Sequence, residues 1–319
     1  MTLPLAPPLA PQLALSRKAL PTGLQWTYEI KLDGFRCIAF VDGEQVELQS
    51  RNGRSLTRYF PELLLPAGRY VLDGEIVVRD ADGREDFDAL GQRIHPADSR
   101  VQRLAAETPS IYVAFDLLAL EDETLLERPF DQRRATLERL LAEPRFASAS
   151  VELMVSTADL EQAQAWLGDA EGAIAKEREA PYMAGQRKGM VKVKRVRTID
   201  AVLVGWRPGK EPGTVGALIL GLYDDGQLRT VGHCSGLSAT EKRELVDRLA
   251  PYETGERGSA EPSRWTAGRD LQWVELRPEL VLEVSFDHVS TGRIRHGARL
   301  LRWRQDKDPQ TCGIEQLAS

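Results

Sequence analysis

The chain has 319 residues, 42% of them apolar, enough for two domains of ordinary size, each with its own core. A formal net charge of −6 excludes a uniformly basic nucleic-acid binder, so any such contact has to come from local patches. Cys37, Cys234 and Cys312 form no C-x-x-C pair and the four histidines are scattered, which argues against a structural zinc site and for a reduced, cytosolic setting.

Residues 1–15 are apolar and free of acid, but Pro4, Pro7, Pro8 and Pro11 break the run and no basic stretch precedes it. The segment is expected to be an extended lead-in over the first domain, neither a signal peptide nor a membrane span. From Trp26 to Phe40 apolar and polar residues alternate loosely, and Val41-Asp42-Gly43-Glu44 then turns into a second strand, 46–49. This predicts a hairpin with Lys31 on or just after its first strand and Ser50-Arg51-Asn52-Gly53-Arg54 at the exit of its second.

Within that hairpin, Glu29-Ile30-Lys31-Leu32-Asp33-Gly34-Phe35-Arg36 sets an amine beside a carboxylate and a second cation. The pattern fits a solvated turn, but it also suits phosphate chemistry, in which a deprotonated amine attacks phosphorus while cations neutralise the phosphate oxygens. Only roughly one part in a thousand of a free lysine is unprotonated at pH 7. Burial and neighbouring cations have to lower that pKa.

Residues 70–78, Tyr-Val-Leu-Asp-Gly-Glu-Ile-Val-Val, predict a strand interrupted by Asp73-Gly74-Glu75, whose two carboxylates share a face suited to a sugar hydroxyl, a cation or magnesium. Residues 85–107 look helical and polar, and 111–120 predict a buried strand in which Phe115 fits core packing or a ligand platform. Asp131 and Asp159 are expected to cap amphipathic helices. Glu171 to Glu177 is a short strand from an acid to Lys176 and Glu177, and the later run of Arg187, Lys188, Lys192, Lys194, Arg195 and Arg197 is dense in cations. On a strand, Lys192 and Lys194 point one way and Val191 and Val193 the other.

Short strands and glycine turns follow from Asp200, which places a domain boundary near Thr198. Strands are expected within 214–233, near 271–276 and within 279–289, with one helix opened by the capping box Ser238-Ala239-Thr240-Glu241. This pattern predicts a small closed barrel of the OB type. Arg293, Arg295, Arg299, Arg302, Arg304 and Lys307 against Asp306 make the last segment a phosphate-binding candidate.

In this order, EIKLDGFR, SRNGR, LDGEIVV, FDLL, EGAIAKE, KVK and LRWRQDKDP resemble the ordered motifs of the nucleotidyltransferase superfamily of ATP-dependent DNA ligases and mRNA capping enzymes. The likeness is greatest to compact bacterial end-joining ligases, the ligase C type and the ligase domain of ligase D. The resemblance implies an α+β chain: an adenylation domain (1–198) of antiparallel sheets with flanking helices, then an OB-fold β-barrel (199–319). It implies that Lys31 attacks the α-phosphate of ATP to form lysyl-AMP, that AMP passes to the 5′-phosphate of a nick, and that the 3′-hydroxyl seals the strand. Glu29 and the backbone at Ile30 would select adenine and Phe115 would stack on it. Arg36, Arg51 and Glu75 would address ribose and phosphates, and Lys192 and Lys194 the α-phosphate, with Arg187 ahead of them. Glu171 with Glu75 or Asp73 would hold Mg2+ (or Mn2+), while Arg304, Asp306 and Lys307 would orient the pyrophosphate as the barrel closes about the segment near Thr198.

The implied partners are nicked duplex DNA and Ku-like or primase-polymerase repair proteins, for a monomeric, cytoplasmic enzyme that joins the nucleoid when acting. Met190-Val191 stands where the family often has a tryptophan before its paired lysines, which bears on local packing. An RNA ligase or capping guanylyltransferase shares the lysyl-nucleotide chemistry, and a non-catalytic nucleic-acid-binding module would use the barrel alone.

Overall fold

Residues 31–34 carry the chain from one β-sheet into another. Trp26–Ile30 belongs to a sheet ordered Leu15–Ser16, Met190–Lys194, Gly172–Glu177, Trp26–Ile30, Ser156–Thr157, whereas Phe35–Gly43 belongs to a sheet ordered Gln45–Ser50, Phe35–Gly43, Gly68–Val78, Ser110–Leu120, Glu123–Thr124, with Val151–Leu153 also on Ser110–Leu120. The expected single strand from Trp26 to Phe40 is therefore two strands, and the hairpin is Phe35–Gly43 with Gln45–Ser50. The crossing needs a glycine: a Cβ on Gly34 would stand 2.4 Å from the carbonyl oxygen of Ile76.

The computed structural model describes residues 3–259, 272–287, 289–290, 292–294 and 297–317. Leu271 and His288, at the edges of expected strands, and Arg295 of the terminal basic segment lie outside them. The chain divides into two compact units, Met1–Arg195 and Val196–Ser319.

In the first unit, Gly68–Val78 runs unbroken through Asp73-Gly74-Glu75, where the sequence predicted an interruption. Gly74 makes room, since a Cβ there would meet the Tyr112 ring at 2.6 Å, and Asp73, 0% exposed, is satisfied by side chains from distant segments. The polar stretch 85–107 forms two helices, Phe87–Gln92 and Asp98–Glu107, on either side of Pro96. Asp131 does not cap its helix. Phe130–Leu141 starts directly after Pro129, and the Asp131 carboxylate instead accepts from Arg178 Nε at 2.7 Å. Asp159 does cap Leu160–Asp169. The lead-in is a strap: Leu3, Leu5 and Leu9 pack against a cluster containing Ile38, Phe40 and Val71, and Leu15–Ser16 runs parallel to Met190–Lys194.

The second unit holds the expected barrel. Gln227–Cys234, Val215–Asp224, Arg197–Pro208, Val281–Phe286 and Arg299–Trp303 follow one another edge to edge, and a bridge between Cys234 and Ala298 closes the ring. Arg197–Pro208 serves two neighbours on one edge, Val281–Phe286 up to Val202 and Gln272–Leu276 from Gly205. Ala239–Leu249 carries the capping box, with Ser238 and Glu241 bonded reciprocally. The chain is thus α+β. Among the described residues no helix is long and apolar enough to cross a membrane.

Candidate active site

A cavity of about 300 Å³ in the first unit is lined by both of its sheets and by residues 11–14 of the strap. Strand alternation supplies its wall. Val191 and Val193 pack with Tyr28, Ala173 and Ala175 on one face of the smaller sheet, while Lys192, Lys194, Ile174 and Lys176 face the cavity from the other. Lys31, Arg36, Arg51, Lys176, Arg187, Lys192 and Lys194 line it against only Glu29 and Glu75, so its field favours a polyanion.

Lys31 sits where the chain leaves its strand, with its backbone N–H donating to the Gly172 carbonyl at 3.0 Å. Its ammonium is paired with Glu171, whose other oxygen lies 3.3 Å from Lys194 Nζ. Burial pushes the Lys31 amine down to about 8, and Lys194 and Lys192 push the same way against the pull of Glu75 and Asp33. At that value about one amine in ten is neutral at pH 7. Burial likewise pushes the Glu75 carboxyl up to about 7, against the downward pull of Arg36 and Lys31.

Two buried carboxylates hold cations at the cavity wall. Asp73 takes Arg36 in a fork, Nε to Oδ1 and Nη2 to Oδ2, both at 2.6 Å. Burial alone would lower the Arg36 pKa, but Asp73 outweighs it and keeps the guanidinium charged. Glu29 takes Lys176 Nζ at 3.0 and 2.8 Å, and the same ammonium donates to the Phe115 carbonyl at 3.1 Å. The Phe115 ring lies 4.6 Å from Arg36 Cζ and 4.4 Å from Lys176 Nζ, which makes it an aromatic surface electrostatically suited to its cations.

The profile described as "ATP dependent DNA ligase domain" matches residues 7–194, and "ATP dependent DNA ligase C terminal region" matches 211–307. The chain belongs to the ATP-dependent DNA ligases. It is 44% identical to "DNA ligase C" of Mycobacterium tuberculosis, over 99% of this chain and 96% of that one. It is 42% identical to "DNA ligase C1" of Mycolicibacterium smegmatis, over 99% and 96%. Among solved structures it resembles "mycobacterial DNA ligase D complexed with ATP and MES", with a TM-score of 0.53, 31% identity, and coverage of 95% of this chain and 97% of that one. The RNA-ligase, capping and non-catalytic readings are not favoured by these relatives.

Of the residues singled out from the ligase motifs, Glu29, Ile30, Lys31, Arg36, Arg51, Glu75, Phe115, Arg187, Lys192 and Lys194 line one cavity, with Arg51 and Arg187 at its exposed edge. Glu171 touches Lys31. Asp73 is not part of the lining: it lies behind Arg36, and its Oδ2 also accepts from Tyr182 Oη at 2.6 Å. Arg304 and Lys307 belong to the second unit, where Arg304 Nη1 donates to Asp200 at 2.9 Å, Nε and Nη2 donate to Asp306, and Lys307 Nζ lies 3.4 Å from Asp200. The hydrogen bonds from Arg304 pull the Asp306 carboxyl down to about 2.

Sequence reasoning gave no role to Lys176, Gln12 or Tyr182. Lys176 had a signal, a lone cation ending a strand of small apolar residues, and so did Gln12, the first polar side chain after residue 2 in an apolar lead-in. Tyr182 had none.

Proposed function

We propose that this ligase seals nicked duplex DNA through a lysyl-AMP intermediate on Lys31. The observation that carries this reading is the Lys31 amine, brought down to about 8 in a cation-lined cavity and touching Glu171. Lys31 Nζ, once it has lost a proton, attacks the α-phosphorus of ATP; the N–P bond forms, the bond to pyrophosphate breaks, and pyrophosphate leaves. The 5′-phosphate oxygen at a nick then takes the AMP group as the N–P bond breaks. Attack by the 3′-hydroxyl on the 5′-phosphorus forms the phosphodiester and releases AMP. In each step positioning and charge neutralisation supply most of the catalysis.

Arg36, Lys192 and Lys194 are assigned to the ribose and α-phosphate, Arg51 and Arg187 to the outer phosphates or the nick, and Phe115 to the base. Glu29 and the Ile30 backbone are assigned to adenine selection. Arg304, Asp306 and Lys307 are assigned to the pyrophosphate leaving group.

Glu75 and Glu171 fit a divalent cation such as Mg2+ or Mn2+, since both offer hard oxygens beside Lys31 and burial leaves Glu75 with a raised pKa that a cation would lower. Asp73 fits less well, because both its oxygens are already engaged. An ion held by these two carboxylates would complete its shell with water and substrate phosphates. When bound, the cation would neutralise phosphate charge and favour the neutral amine. The enzyme is read as a cytoplasmic, nucleoid-acting monomer, with Ku-like or primase-polymerase proteins as partners in end joining.

The test is incubation with α-labelled ATP, magnesium and nicked duplex DNA. The wild type should form a labelled protein adduct and sealed strands, and Lys31→Ala neither. Labelling by GTP alone, or sealing by Lys31→Ala, would overturn the reading.

A further inference from the structure

Arg36 faces the cavity and is aimed by Asp73 of the LDGEIVV motif, but what sets Asp73 lies outside the ligase motifs. Nε and Nη2 are both committed to Asp73, so the orientation of the guanidinium follows the plane of that carboxylate. Asp73 is fully buried, and the tilt of its plane is fixed at Oδ2 by Tyr182 Oη at 2.6 Å. An ionised carboxylate only accepts, so the tyrosine must donate. The tyrosine's oxygen in turn accepts the backbone N–H of Gln12 at 2.9 Å, which leaves its proton directed at Asp73.

The chain of bonds closes on itself. The Gln12 carbonyl accepts from Arg36 Nη2 at 3.4 Å, and the Gln12 side chain donates to the Lys188 carbonyl at 2.6 Å, next to Arg187 at the cavity edge. Gln12, Tyr182 and Asp73 are all buried, so each of these polar groups needs its partner. Four segments separated by up to 170 residues thus meet to hold one cation.

We propose that Tyr182, oriented by Gln12 of the N-terminal strap, is a positioning residue that aims Arg36 for nucleotidyl transfer. The strap is then a working wall of the cavity as well as packing for the sheet. Tyr182 touches no reacting atom; it acts only through Asp73 and Arg36. The inference rests on the lysyl-AMP reading of this cavity.

The test uses the full-length protein, ATP and magnesium, with single-turnover lysyl-AMP formation followed across ATP concentrations for wild type, Tyr182→Phe, Arg36→Lys and the double variant. Tyr182→Phe keeps the ring and its packing. It is expected to lower the maximal rate about tenfold while changing half-saturating ATP less than about threefold, as for loss of one buried hydrogen bond to a charged group. In the Arg36→Lys background the same substitution should cost less than about twofold, because residues acting as a unit do not add. Should Tyr182→Phe fail to fold, Gln12→Pro replaces it, since it removes the N–H that Tyr182 Oη accepts, with a smaller loss that also has to vanish beside Arg36→Lys. A wild-type rate in the tyrosine variant, or an equal loss with and without Arg36, would overturn the proposal. Absence of any adduct in the wild type would remove the functional reading itself, and this inference with it.

Discussion

Two arginines in this ligase are forked by an aspartate in opposite settings. Arg36 is held by Asp73, which is 0% exposed and tied to Tyr182, whereas Arg304 is held by Asp306, whose side chain is 70% exposed. A buried carboxylate that loses its partner, or the reverse, leaves an uncompensated charge in a medium that solvates it poorly. An exposed pair trades its partner for water at little cost. The first arrangement fixes a cation in one direction before any ligand arrives. The second keeps a cation charged and available, with acids that a phosphate can displace.

Asp73→Ala should have the largest effect on folding. Removing it strands Arg36 at a mostly buried site, a loss of about 3–5 kcal/mol, which lowers the unfolding midpoint of the first unit by on the order of 10 °C. Asp306→Ala should leave the thermal midpoint of the second unit where it is. Differential scanning calorimetry of both variants checks the contrast, and equal shifts would erase the distinction between the two arginines.

Arg304→Ala should separate function from stability on the other side. Lysyl-AMP formation is expected to fall on the order of a hundredfold, as when one preorganised donor to a developing anion is removed, with a smaller thermal shift than Asp73→Ala because Asp200 keeps Lys307 as a partner. A variant that forms the adduct at the wild-type rate would mean that the exposed fork has no part in pyrophosphate release.

The parts of this contrast differ in how legible they are in sequence. Lys192 and Lys194 could be assigned to one face and Val191 and Val193 to the other because strand alternation is local, and the capping box at Ser238 is equally local. The break at residues 31–34 was not legible: loose alternation continues on both sides of it, and only the strand partners show that two sheets are involved. Asp73-Gly74-Glu75 read as an interruption because nothing nearby in the chain satisfies a buried acid there. Its partners, Arg36 and Tyr182, are 37 and 109 residues away. The capping role expected of Asp131 failed because Pro129 sets the helix start two residues earlier.

Lys31 offers a subtler test of how burial sets charge. In metal-free protein its labelling by an amine-selective reagent should rise with pH around a midpoint of about 8, well below an ordinary lysine. The sign follows from the reactive form: burial, Lys194 and Lys192 favour the neutral amine, so reactivity appears at lower pH. Glu171→Gln removes a negative charge in contact with the ammonium and should move the midpoint down further. Mass spectrometry of the labelled peptide reads both values, and a midpoint near that of free lysine would show that the cavity leaves the amine unperturbed.

The smallest expected effect concerns Asp200, which accepts from Arg304 Nη1 at 2.9 and 3.1 Å and lies 3.4 Å from Lys307 Nζ. On the proposed role of Arg304 and Lys307, a pyrophosphate would compete with this carboxylate for the same donors. Asp200→Asn keeps the shape and weakens the competition, so the pyrophosphate concentration that half-saturates reversal of lysyl-AMP should fall about two- to threefold, the scale of a modest ion pair. Added salt should narrow the difference only weakly, since Arg304 and Asp200 are mostly buried and partly buried pairs are screened less than exposed ones. A rise in that concentration would instead make Asp200 a support that aims Arg304, and the exposed fork would then work by the same logic as the buried one.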